Sequence, residues 1–145
     1  MESHSLETHD VSRLVATIHD DAIAAADVVI IPPGASAIDL AAVRATAERV
    51  QRAGVPYGYV LNRTYRRSVL AASATRLLRE RPGRLLPPVH QWVAIPTAMA
   101  AGRTVLETDI ASRAATEFAT LWGAVRAMLD EAARPIPAAR RRSGR

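Results

Sequence analysis

At 145 residues the chain is long enough for one domain with a buried core. Its apolar share of 49% comes with only 4% aromatics, which suits alanine-rich helices packed on a sheet and disfavours a sandwich or barrel. Cysteine is absent, excluding a disulfide framework and a thiolate metal site and fitting a cytoplasmic protein. The formal charge is +5 and all 19 basic residues are arginine, a surplus that attracts nucleic acid without specifying a fold. Compositional bias toward arginine and alanine accounts for the charge equally well.

Residues 1–10 are polar and mildly acidic, unlike a secretory signal, and no run is long enough to span a bilayer. Four short apolar runs predict strands: 14–18, 27–31, 57–61 and 89–95, the last interrupted by Gln91 and ending at Pro96. Between them the spacing predicts helices. The first is capped by Ser36, with Leu40, Val43, Ala47 and Val50 inward, a Glu48–Arg52 pair on its surface, and Gly54 and Pro56 as its stop. The second runs over 68–79 with Leu70, Ala74, Leu77 and Leu78 inward. The third runs over 112–133 with a stripe of Ala115, Phe118, Leu121, Trp122, Val125, Met128 and Leu129 that is expected to be core rather than a ligand box. A disordered arginine-rich tail is expected over 134–145, leaving 11–133 as the folded domain. Strands alternating with helices imply an α/β fold, a mostly parallel sheet with helices on both faces.

Three segments carry a resemblance. Ala26-Asp27-Val28-Val29-Ile30-Ile31-Pro32 followed by Ser36-Ala37-Ile38-Asp39-Leu40 is one. Val60-Leu61-Asn62-Arg63 is the second, and Ile95-Pro96-Thr97 through Gly102-Arg103-Thr104-Val105-Leu106-Glu107 is the third. In this order and spacing, over residues 11–129, they resemble the C-terminal half of ParA/MinD-type partition ATPases. The resemblance implies a P-loop NTPase-like fold lacking the N-terminal P-loop unit, since no lysine or Gly-rich phosphate loop occurs in the chain. Gly34, alone before a helix cap, is ordinarily only a loop residue.

The same resemblance implies ATP with magnesium as cofactor. It gives Asn62 the adenine edge, with Arg63 and Pro96 beside it, and it sets Asp20 where the family has its magnesium-associated aspartate. Asp20 lacks the family's D-x-P-P continuation, and Asp20 or Asp21 capping a short helix over 22–26 explains it more simply. Asn62 also suits a plain turn. Arg63, Arg66 and Arg67 around Tyr65, together with Arg140, Arg141 and Arg142, are the candidates for DNA phosphates, and solvated surface is the plainer account of each. The four histidines have no metal-ligand spacing.

The expected function is therefore that of a ParA-like partition or segregation protein, truncated or a pseudo-ATPase inactive alone. The alternative is a nonenzymatic nucleic-acid-binding or regulatory module pairing with a full-length ParA-type ATPase. Expected partners are nonspecific DNA, a ParB-like or ParA-like protein and a second copy of the chain, with no membrane and with cytoplasmic, nucleoid-associated localisation. In the family the strand entering the P-loop lies beside the one matching 27–31, and the chain begins too late to provide it. Strands 14–18 and 27–31 are accordingly expected to pair directly or to leave open edges that invite another chain.

Overall fold

A computed structural model describes residues 17–134. Residues 17–24 form helix α1, and the chain then enters strand β1 (Val29–Ile31). Helix α2 (Ala37–Ala53) leads to β2 (Tyr57–Tyr59) and β3 (Asn62–Thr64). Helix α3 (Val69–Arg79) leads to β4 (Arg84–Leu85) and β5 (Val89–His90). Two short helices, α4 (Ala94–Ala100) and α5 (Val105–Thr108), precede the long α6 (Arg113–Ala132).

All the strand pairs are parallel: β2 lies between β1 and β4, and β3 pairs with β5. The two small sheets are one sheet with an interrupted ladder. Leu86 N–H reaches Tyr59 O at 2.8 Å and Val89 N–H reaches Leu61 O at 2.9 Å, so pairing continues across the break. Between those bonds lie Pro87 and Pro88, which have no N–H to give.

Alternation along the central strand builds the layers. Tyr57, Tyr59 and Leu61 point to one face, where they meet Ile31, Val43, Ala47, Val50, Ala74 and Leu78 beneath α2 and α3. Val60 points to the other face, with Leu86, Val89 and Met128 beneath α6. Two crossovers stepping in the same direction put α2 and α3 on one face, as a single crossover hand demands. Tyr59, Leu78 and Val50 are fully buried, and each such side chain contributes about 1.5–3 kcal/mol.

The helix limits follow local chemistry. Ser36, Ser68 and Ser112 each accept a backbone N–H three residues on, at 3.2, 3.3 and 3.1 Å. Gly54, at φ 71°, ends α2 with its N–H on the Gln51 and Val50 carbonyls.

Several expectations are corrected. Residues 17 and 18 are helical rather than strand, because Thr17 to Ala24 form one continuous helical segment; 14–16 lie outside the described residues. Asp20 and Asp21 thus sit within α1 and do not cap a helix over 22–26. The strand expected over 89–95 stops at His90, and 94–100 is helix α4. Pro96 is compatible with α4 because it stands in the first turn, where N–H groups have no helical acceptor. Strand β4 was not foreseen. Glu48 pairs with Arg44 at 3.6 Å, while Arg52 donates to the Glu48 carbonyl instead. Leu70, Leu77 and Trp122 are exposed, at 65%, 39% and 56%, because each helix turns only a narrow stripe to the sheet. Residues 1–10 and 135–145, with the tail expected there, lie outside the described residues.

Gly83 makes the turn into β4 at φ 101°, and a Cβ there would lie 2.5 Å from the Tyr57 ring, whose hydroxyl donates to Pro82 O at 3.0 Å. Gly83→Ala should therefore destabilise the fold by about 2 kcal/mol, from backbone strain and a displaced core ring together. Urea unfolding checks this; an unchanged midpoint would mean that the turn does not hold Tyr57.

Candidate functional site

Parallel strands bring their carboxyl ends to one edge of the sheet, the usual place for a ligand in an open α/β fold. At that edge β1 runs into Pro32-Pro33-Gly34, β3 into Tyr65-Arg66-Arg67, and β5 into Gln91-Trp92-Val93. Asn62 N–H donates to Pro33 O at 2.8 Å, tying the central strand to the turn after β1. Asn62 also stands in register with Val89. The structure thus gathers Asn62, Arg63 and the turn at Gly34 at one edge, and Pro96 follows six residues after β5 ends, inside α4.

Several residues carrying the family resemblance also have a local structural role. The Asn62 Oδ1 accepts the Arg63 N–H at 2.9 Å, which leaves its amide NH2 without a protein acceptor among the described residues. Arg63 and Arg67 both adopt left-handed backbone, at φ 52° and 61°, a conformation that disfavours side chains with a Cβ. Ser36 Oγ donates to Asp39 Oδ2 at 2.6 Å while accepting the Asp39 N–H. Thr104 N–H and Oγ1 both donate to Glu107 Oε2, at 2.7 and 2.8 Å. Those hydrogen bonds, from the Thr104 backbone first, hold the Glu107 carboxyl below its ordinary pKa.

These roles bear on a nucleotide. At the N-terminus of α2 the space beside Gly34 is filled by the Asp39 carboxylate, which a Cβ on Gly34 would meet. That helix end therefore already faces an anion of its own and does not suit a phosphate. No group of three or more potential metal-ligating side chains occurs among the described residues. Asp20 lies apart from the strand-end edge: it faces Arg49, at 3.8 Å, late in α2, which returns toward the amino ends of the strands. Among the described residues the α2 terminus does not suit a phosphate and no magnesium-ligating group is gathered, while the Asn62 amide NH2 is left open.

Arg63, Tyr65, Arg66 and Arg67 are all exposed, and none of the three arginines has an acidic partner among the described residues. Arg140, Arg141 and Arg142 lie outside the described residues. A separate apolar cleft of about 500 Å³ runs along β1, lined by Ile23 of α1, Val28 to Ile30, and Arg49 of α2 among others. Among the described residues β1 is paired on one side only, with β2.

One cluster was missed from sequence. Glu117 of α6 binds the His90 N–H and ring and the Trp92 indole, a separation of 27 and 25 residues that no motif announces.

No family model matches the chain, and no curated protein matches it. Among solved structures it is similar to the cell division ATPase MinD of Pyrococcus furiosus, with a TM-score of 0.62 and 19% identity. The two share a fold. The match covers 72% of this chain and 44% of that one, so the chain spans less than half the length of the MinD structure. The α/β architecture of parallel strands under helices accordingly resembles the fold of part of that MinD structure. Among the described residues no helix is long and apolar enough to cross a membrane.

Proposed function

We propose that this chain is a ParA/MinD-like protein of partition or segregation type that retains the adenine side of a nucleotide site and a DNA-binding loop, without phosphate-loop catalysis. The observation that carries the reading is the position of Asn62. It opens β3, the last segment of the central strand line, tied to Pro33 O at 2.8 Å, with its amide NH2 open, Arg63 beside it and the Tyr65-Arg66-Arg67 loop following β3. Catalysis is left out because phosphoryl transfer needs cationic stabilisation near the phosphates, and the chain has no lysine and an acidic α2 terminus. In this reading the protein works in the cytoplasm at the nucleoid, beside a ParB-like or ParA-like partner.

Calorimetry should detect weak adenine-nucleotide binding that Asn62→Ala abolishes, with no ATP hydrolysis above the blank. Strong binding unaffected by Asn62→Ala, or saturable magnesium-dependent hydrolysis, would refute the assignment. Adenine contacts alone give little affinity, so a dissociation constant near the millimolar range is expected, about 4 kcal/mol.

DNA binding should be indifferent to sequence and should weaken steeply with salt. Replacing Arg63, Arg66 and Arg67 together by Ala should lower the slope of log K against log salt by about 2 to 3, roughly 0.9 for each phosphate no longer neutralised. Fluorescence anisotropy across a salt series measures it, and an affinity independent of salt would remove counterion release as the source.

A second reading, pairing with another copy or with a longer relative, is favoured by the cleft along β1 and by the one-sided pairing of that strand among the described residues. Sedimentation velocity should then show association, with slowed amide exchange at Val28 and Ile30, whose N–H groups face away from β2, in the complex. A monodisperse monomer with those amides already protected would count against it.

A further inference from the structure

Glu117 has both carboxylate oxygens engaged by a single extended segment. Oε1 lies 2.7 Å from His90 Nδ1, and Oε2 accepts the His90 backbone N–H at 2.9 Å and the Trp92 indole N–H at 2.8 Å. Residues 90 and 92 reach the same carboxylate because alternate side chains of an extended chain share a face. The intervening Gln91 N–H donates to Thr64 O at 2.9 Å on the opposite side. The segment is thus held from α6 on one side and from β3 on the other. The two rings of His90 and Trp92 also meet edge-on, with centroids 6.4 Å apart.

Both candidate ligand segments depend on it. Asn62 and Thr64 are in register with Val89 and His90. Helix α4, which contains Pro96, starts from the same turn, with Ile95 N–H on Trp92 O at 3.2 Å and Thr97 N–H on Val93 O at 3.2 Å. A half-buried carboxylate is tolerated only when its lone pairs are occupied, and here three donors occupy them. Without the carboxylate, the His90 amide and the indole would lose their acceptor and the turn would have to move to find water.

We propose that Glu117 is a positioning residue: from α6 it fixes the strand-end turn of 90–93 and, through it, the places of Asn62 and Pro96. Its link to ligand binding rests on the nucleotide reading above, whereas the latch itself does not. The electrostatics agree with the geometry. Burial by itself would raise the Glu117 pKa, and the bonds from the His90 amide, the indole and the His90 ring outweigh it and keep the carboxyl below its usual value. His90 of β5 is the titratable group acting on it; the indole and the amide are neutral donors. A depressed folded-state pKa means that the latch stabilises fully above the ordinary Glu range and is lost as pH falls through the folded value.

Trp92 reports on this directly. The chain has 2 tryptophans, and Trp122 is exposed, so a Trp122→Phe background isolates the Trp92 signal. In that background Glu117→Ala should shift Trp92 emission to the red and speed exchange of the His90 and Gln91 amides about tenfold or more, the factor carried by one charge-assisted hydrogen bond. A folded Glu117→Ala protein with unchanged emission and exchange would overturn the proposal. Should that variant fail to fold, acid titration of the Trp122→Phe protein decides. A red shift below the ordinary carboxylate range, with helix circular dichroism intact, is the expected result; emission constant until global unfolding is the contrary one. Neither readout uses nucleotide, so a failure of ATP binding and a failure of the latch are told apart.

Discussion

The architecture depends on the central strand line from Tyr57 to Thr64 being paired along both edges and covered on both faces. Val29 N–H bonds to Pro56 O, Val60 N–H to Ile31 O and Asn62 N–H to Pro33 O on one side, while Leu86 and Val89 donate to Tyr59 and Leu61 on the other. A backbone buried to this degree must have its polar groups paired, since each one left without a partner costs about 1–3 kcal/mol. Parallel pairing then obliges the chain to return by way of helices, and those returns bring the three strand ends to the same edge. The candidate site is a consequence of how the core is hydrogen-bonded.

The side chains at that edge serve the backbone first. Ser36 with Asp39 and Thr104 with Glu107 close helix ends, and the Asn62 carbonyl oxygen holds the Arg63 N–H. Much of the resemblance carried by the sequence motifs is therefore in residues that shape turns and caps, as suits a likeness to MinD that lies in the fold. What the backbone leaves available is the Asn62 amide group and the exposed arginines of the following loop. A shared fold does not by itself transfer an activity, and function has to be argued from those few groups.

The two faces of the sheet have different tasks. Beneath α2 and α3 the packing joins Tyr57, Tyr59 and Leu61 to Val43, Ala47, Val50 and Leu78. Beneath α6 the core is smaller, and polar contacts from the helix supplement it: Glu131 takes both Arg84 guanidinium nitrogens at 2.7 and 3.3 Å, and Glu117 takes three donors near the strand ends. Bonds from Arg84 first hold the Glu131 carboxyl below its ordinary pKa, yet that pair is exposed and screened. Glu117 is half-buried, so its hydrogen bonds define position more firmly.

Local chemistry in the sequence determined much of this protein. Serines at 36, 68 and 112 mark three helix starts, Gly54 marks a stop, and the apolar runs within 27–31 and 57–61 mark strands. The absence of lysine was plain from composition and limits the chemistry without any structure. Other features needed the tertiary structure. Thr17 and Ile18 read as strand and are helical, since a short apolar run has no period long enough to separate the two. Strand β4 is two residues long, and only its place beside Tyr59 makes Arg84-Leu85 a strand. Leu70 and Trp122 have the spacing of core residues, but which side of a helix is covered depends on the neighbour it meets. The grouping of Glu117 with His90 and Trp92 joins residues more than twenty apart, and such a meeting exists only once α6 has docked across the end of β5.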